Sequence, residues 1–190
     1  MRTVLQRVKS ASVTVDGELI STIGKGILVL AAVSKDDTEK DVESMAGKVL
    51  KLKMWDDENG GRWKRNVLDV QGEVLCVSQF TLLASTKKGN KPDFHQSASG
   101  VKAKELYRSF FKKVQDLYEP EKVKDGIFAA MMDVTLVNDG PVTIQIDTNP
   151  PKMENPSGLD TEGQKVELND LVGNLTKITK EFQIPAELLE

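Results

Sequence analysis

Two short segments of this chain could do chemistry on an ester or amide: "SQFTL", Ser78 to Leu82, and "NDGPVT", Asn138 to Thr143. The first combines two hydroxyls, a carboxamide and consecutive backbone N–H groups at the end of an apolar run. A hydroxyl becomes a useful nucleophile only beside a base, whereas converging N–H groups can stabilise a developing oxyanion. The second places Gly140-Pro141 between apolar stretches, a pair whose ordinary meaning is a turn. Taken singly, Ser78 and Thr81 are equally at home as strand-end residues, and Gly140-Pro141 as a chain reversal.

The remaining inventory narrows the chemistry. His95 is the sole histidine, so every multi-histidine metal motif is excluded, and the sole cysteine, Cys76, offers neither a disulfide framework nor a cysteine-rich metal site. No metal or cofactor is expected. A Ser-His-Asp arrangement would have to use His95, in "KPDFH", and nothing in its spacing recommends that. Reaction groups must come from hydroxyls, carboxylates, backbone or the substrate itself.

The elements that would position these segments follow from hydrophobic periodicity. Alternation over residues 2 to 33 predicts three or four strands, with a turn at Asp16-Gly17 and a break at Gly24-Lys25-Gly26. The wholly apolar run Ile27 to Val33 predicts a buried central strand. Helical spacing predicts helices from about Thr38 to Lys53 and from Val101 to Tyr118. Between them, "EVLCVSQFTLLAS" reads as a further buried strand, and "GIFAAMMDVTLVNDGPVTIQID" as a pair of strands around Gly140-Pro141.

Length fits one domain, residues 1–147, followed by a flexible acidic extension, residues 148–190, with a short amphipathic helix near 165–181. The extension has 8 acidic and 4 basic side chains, so residues 1–147 carry +1 of the overall −3. That balance argues against nonspecific nucleic-acid binding by bulk charge. Charged Arg2, Arg7 and Lys9 interrupt any signal-peptide core, and no apolar run reaches membrane-spanning length, so a cytoplasmic protein is expected with no membrane association.

In combination and in order, "VLQRV", "ASVTVDGE", "GKGILVLAAVSKDD", "VSQFTL", "GNKPDFH" and "LVNDGPVT" make the chain similar to the D-aminoacyl-tRNA deacylases over roughly residues 1 to 147. Both family signatures are present, as Ser78-Gln79-Phe80-Thr81 and Gly140-Pro141-Val142-Thr143. A related animal branch with relaxed chiral selection begins the first signature with Pro, so Ser78 favours the D-selective branch. One departure stands in the loop, where Lys91-Pro92-Asp93-Phe94 replaces the bacterial Arg-Pro-Ser-Phe.

The resemblance implies an α+β fold with mixed and antiparallel β-sheets in a barrel-like arrangement and two main flanking helices. It implies hydrolysis of D-aminoacyl-tRNA, and of mischarged glycyl-tRNA, by a homodimer with active sites at its interface. Ser78, Gln79, Phe80 and Thr81 would form the catalytic segment. Gly140 and Pro141, joined by a cis bond, would reach into the partner's pocket, where backbone carbonyls reject an L side chain. Arg7 would brace that turn, and Phe128 and Met132 would hold the terminal adenine; without the resemblance these three read as a strand arginine and two core residues. Lys87, Lys88 and Lys91 are either a solvated turn or contacts to tRNA phosphates.

Two routes to hydrolysis stay open. Thr81 could attack covalently, or the 2′-hydroxyl of the terminal ribose could help activate water while N–H groups near Phe80 and Thr81 polarise the carbonyl. The second is favoured because no protein base is visible. A different class of function is a deacylase-like binding protein whose acidic tail recruits a replication or translation partner.

Overall fold

The computed structural model describes residues 1–150; the expected acidic extension, apart from its first three residues, and the expected helix 165–181 lie outside the described residues. Six strands form one mixed sheet: β1 (Arg2–Val15), β2 (Glu18–Ile23), β3 (Gly26–Ala32), β4 (Glu73–Ser78), β5 (Val123–Asp125) and β6 (Asp133–Asp147). Two helices, α1 (Glu39–Lys51) and α2 (Gly100–Leu117), lie within one or two residues of the predicted ones.

β3, β4 and β5 are parallel neighbours, and α1 and α2 occur in the two connections between them. Parallel strands need such crossovers, which cover a sheet face. Val42, Met45, Ala46, Val49 and Leu50 of α1 are all buried, at the i, i+3, i+4, i+7, i+8 spacing of one helix face. With Leu106, Tyr107, Phe110 and Val114 of α2 they join Ile27, Val29, Val74 and Cys76 in one core. Leu28, Leu75 and Val77 alternate to the other side, into a second core with Val8, Val13 and Ile23. The strand order runs β2-β1-β3-β4-β5, and the Ser21 hydroxyl of β2 donates to the Asp125 carbonyl of β5 at 2.5 Å. The sheet thereby curls into a nearly closed barrel.

β1 serves both cores. Leu5, with Met1 just before the strand, enters the first, whereas Val8, Ala11 and Val13 enter the second. The change of parity coincides with irregularities in the β1–β6 register between Gln6 and Val8 and between Val8 and Ser10. An extra residue flips the alternation, so one strand can turn different faces inward along its length.

One sequence expectation is corrected here. Gly140-Pro141 does not separate two strands: β6 is a single strand, antiparallel to β1 from Thr14↔Asp133 to Arg2↔Asp147. Residues 139–142 are a protrusion between the pairs Val8↔Asn138 and Gln6↔Thr143, facing only Arg7. Long-range pairing with β1 overrides the local turn chemistry. Similarly, the apolar run after Glu73 leaves the sheet at Ser78 and tightens into a 3-10 turn, Phe80–Leu83.

Candidate active site

At the end of β4 the chain is fixed by its own backbone. The Gln79 N–H donates to the Ala31 carbonyl at 2.7 Å, and the Leu82 N–H returns to the Gln79 carbonyl at 3.2 Å. Arg2 anchors the turn from outside, donating to the Leu82 carbonyl at 3.0 Å and to the Asp147 carboxylate at 2.8 Å. The Phe80 and Thr81 N–H groups have no backbone acceptor among the described residues, as expected for the first donors of a helical turn. The Gln79 carboxamide donates to the Thr81 hydroxyl, so the neighbour of that hydroxyl is a donor rather than a base.

A cavity of about 580 Å³ opens beside this turn. It brings together six sequence-predicted residues: Ser78, Gln79, Phe80 and Thr81 on one side, Phe128 and Met132 on another. The second wall is shaped locally. Met132 sulfur accepts the Ile127 N–H at 3.4 Å, and a Cβ on Gly126 would come within 2.7 Å of that sulfur, so a side chain there would displace Met132. Ala129, between the two predicted pocket residues, has φ +63°, a left-handed conformation uncommon for a residue with a side chain.

Behind Phe128 stands a pair that the sequence did not reveal. The Tyr107 ring lies 5.6 Å from the Phe128 ring, and its buried hydroxyl donates to Asp125 Oδ1 at 2.5 Å. Burial raises the Asp125 carboxyl above the ordinary carboxylate range, against the lowering effect of the Tyr107 bond. Burial, with the neighbouring Cys76 and Asp125, holds the Tyr107 proton well above the usual phenol range. Burial likewise pushes the Cys76 thiol far up, which leaves it inert. Among the described residues Tyr107 is the only titratable side chain lining the cavity, and it cannot serve as a base near neutrality. No helical pattern of α2 distinguishes Tyr107 from another core residue, and Arg2 likewise gave no local signal.

Phe80 is 57 % exposed and meets Phe94 edge-on at 5.1 Å. The loop that carries Phe94 also carries exposed Lys87, Lys88 and Lys91, none of which lines the cavity. His95 Nδ1 sits 2.5 Å from Asp93 Oδ2, and its Nε2 meets Gln96, so it forms a surface pair outside the cavity. Hydrogen bonds from the His95 backbone and ring lower the Asp93 carboxyl below its ordinary value. Among the described residues there is no cluster of potential metal ligands.

Arg7, Gly140 and Pro141 occupy a second place. Arg7 Nε donates to the Asp139 carbonyl at 3.0 Å and lies 3.2 Å from the Asp139 carboxylate, while Nη1 donates to the Met54 carbonyl. The Gly140-Pro141 bond is cis, and Gly140 has φ +124°, open to glycine alone. None of the three lines the cavity. Arg7 pairs with Ile27 at one end of β3, whereas Ala31, the partner of Ser78, is at the other. Four residues of strand separate the two places, roughly 13 Å at the usual rise.

Comparison with known proteins gives the chain its family. A curated relative from Yarrowia lipolytica, named D-aminoacyl-tRNA deacylase, is 59% identical over 150 residues, 78% of this chain and 97% of its own. The human D-aminoacyl-tRNA deacylase 1 is 50% identical over 151 residues, 80% of this chain and 72% of its own. A solved structure described as c-Myc DNA Unwinding Element Binding Protein superposes with TM-score 0.75 at 50% identity, covering 79% of this chain and 99% of that one. Another, described as a probable eukaryotic D-amino acid tRNA deacylase, shares the fold at TM-score 0.66 and 17% identity, over 76% of this chain and 97% of its own. Residues 4–147, which contain both the cavity and the Gly140-Pro141 protrusion, match the sequence family described as D-Tyr-tRNA(Tyr) deacylase, and the chain belongs to that family.

Proposed function

We propose that this hydrolase binds the 3′-terminal aminoacyl-adenosine of a D-aminoacyl-tRNA in the cavity and cleaves its ester, releasing tRNA and the D-amino acid. Phe128 and Met132 hold the adenine, and the unpaired N–H groups of Phe80 and Thr81 meet the carbonyl oxygen as it gains charge. The carrying observation is that, among the described residues, no usable base lines the cavity. The ribose 2′-hydroxyl, next to the ester, then relays the proton, accepting one from the attacking water as it passes its own to the departing 3′-oxygen. Glycyl-tRNA, lacking a side chain, passes the same filter.

The chiral filter in this reading is the Gly140-Pro141 protrusion of a second copy, seated over the cavity with its carbonyls toward the substrate amino group. The separation of roughly 13 Å along the strands supports two chains, since one chain cannot bring its own protrusion to its own Thr81. Lys87, Lys88 and Lys91 lie outside the cavity and meet phosphates of the acceptor stem. The reaction belongs to translation in the cytoplasm; among the described residues no helix is long and apolar enough to cross a membrane.

Hydrolysis of D-tyrosyl-tRNA with a 2′-deoxy terminal adenosine, set beside the Thr81→Ala variant, tests the mechanism. Loss with the deoxy ester and retention in the variant are expected. Full activity on the deoxy ester excludes substrate assistance.

The acidic extension past the matched residues 4–147 favours a second reading, in which that tail recruits a replication or translation partner. Comparing deacylation by the full chain and by residues 1–150 separates the two: an inactive short form, with partner binding by the full chain, supports the second.

A further inference from the structure

The segment between α1 and β4 folds into a hairpin that no cavity residue uses. Met54 and Trp55 N–H groups donate to the Arg65 carbonyl at 2.9 and 3.1 Å, and Lys64 and Arg65 N–H groups return to the Trp55 carbonyl, both at 2.9 Å. Asp57 Oδ1 accepts from the Asn59 and Gly61 N–H groups at 2.9 and 2.7 Å, fixing the tip. Asp56 Oδ1 accepts the Trp63 N–H at 3.1 Å. The third acid, Glu58, lies 3.5 Å from Arg65.

Asp56 and Asp57 are taken up by the hairpin's own N–H groups and the exposed Glu58 faces Arg65, while Arg62 and Lys64 are exposed and enter no ion pair among the described residues. Between them Trp63 is 50 % exposed, whereas the hairpin's other tryptophan, Trp55, is 6 % exposed. Trp63 also has φ +55°, a strained conformation for a bulky side chain that persists only where the surroundings impose it. The imposed result is a large aromatic face in solvent, flanked by two unengaged cations. Aromatic stacking beside phosphate-directed cations is how unpaired nucleic acid is held.

Position supports the same ligand. Arg7 donates both to the Met54 carbonyl at the hairpin base and to the Asp139 carbonyl beside Gly140, so one guanidinium ties hairpin and protrusion together. We propose that Arg62-Trp63-Lys64 is a further tRNA contact, in which the indole stacks on an unpaired nucleotide adjoining the terminal adenosine and the two cations meet its flanking phosphates. This rests on the deacylase reading given above: a protrusion seated over the partner's cavity brings the base of the hairpin, tied to it through Arg7, toward the same bound RNA end.

The test uses the full chain and two esters, D-tyrosyl-tRNA and 3′-O-D-tyrosyl-adenosine. Trp63→Ala is expected to lower kcat/KM on the tRNA ester roughly 10-fold, with Trp63→Phe restoring most of it and the adenosine ester unaffected. Arg62→Gln with Lys64→Gln is expected to reduce the salt slope of tRNA binding by about 1 to 1.5. Equal losses on both esters, or no loss on the tRNA ester, overturn the proposal. Quenching of Trp63 fluorescence by uncharged tRNA, read as the difference between wild type and Trp63→Phe, is independent of hydrolysis. If wild type cleaves neither ester, the deacylase reading fails, and the hairpin is then judged by this signal alone: quenching upholds it and its absence overturns it, as would quenching by a protein partner only.

Discussion

Arg7 holds Asp139 twice, by its carbonyl at 3.0 Å and by its carboxylate at 3.2 Å, immediately before the Gly140-Pro141 protrusion. A planar guanidinium can do this while also reaching the Met54 carbonyl; a lysine ammonium is a point charge on a flexible stem. Arg7→Lys is therefore expected to lower kcat/KM on D-aminoacyl-tRNA about 10- to 100-fold, the worth of one or two charged hydrogen bonds, with little change in secondary structure. Steady-state kinetics alongside circular dichroism would check this.

Gly140→Ala acts on the same protrusion from the other side. An added Cβ would lie 3.0 Å from both Arg7 Nη2 and Val142 Cγ2, in a backbone conformation at φ +124°. We expect about 1–3 kcal/mol of lost stability and at least about a 10-fold loss of deacylation. Urea midpoints and activity, measured on one preparation, give both quantities.

Phe128 forms part of the cavity wall against Tyr107. Replacing it with leucine keeps an apolar wall but removes the ring, so KM should rise by roughly 10-fold while kcat moves less. An equal fall in kcat with KM unchanged would assign Phe128 to the reaction rather than to adenine binding.

Asp125 gives a pH-dependent signature. Its folded-state carboxyl is raised by burial, so the native chain binds that proton more tightly than the unfolded chain. Its contribution to stability is therefore fully present below the ordinary aspartate value and is lost as pH rises through the raised one. Asp125→Asn, which still accepts from Tyr107, should gain on wild type across that window and hold the gain at higher pH. Asp125→Ala leaves the buried Tyr107 hydroxyl without an acceptor and should cost about 1–3 kcal/mol throughout. Urea denaturation over a pH series distinguishes the two variants.

The helices were legible because burial of one face imposes a period, as Val42 through Leu50 display, and β3 because burial on both faces leaves Ile27 through Ala32 apolar throughout. Ser78-Gln79-Phe80-Thr81, Phe128 and Met132 were legible as a set only through resemblance, and the cavity does bring them together. What escaped depends on distant partners. Gly-Pro reads as a reversal unless β1 is known to lie beside it on both flanks. Arg2 acts on Leu82 across 80 positions, and Tyr107 on Asp125 through a fold that no helical period encodes.

A hairpin turn can gain or lose a residue and let its length drift between relatives. The 139–142 protrusion is held on both flanks by one strand, Asn138 and Thr143 both pairing with β1, so a change of length alters its reach or its register. A residue inserted there must either lengthen the protrusion or slip the strand beyond it by one position, turning Ile144 and Ile146 away from the core they pack against. The chain's reach is thus gauged by its own sheet: its length is as constrained as its chemistry.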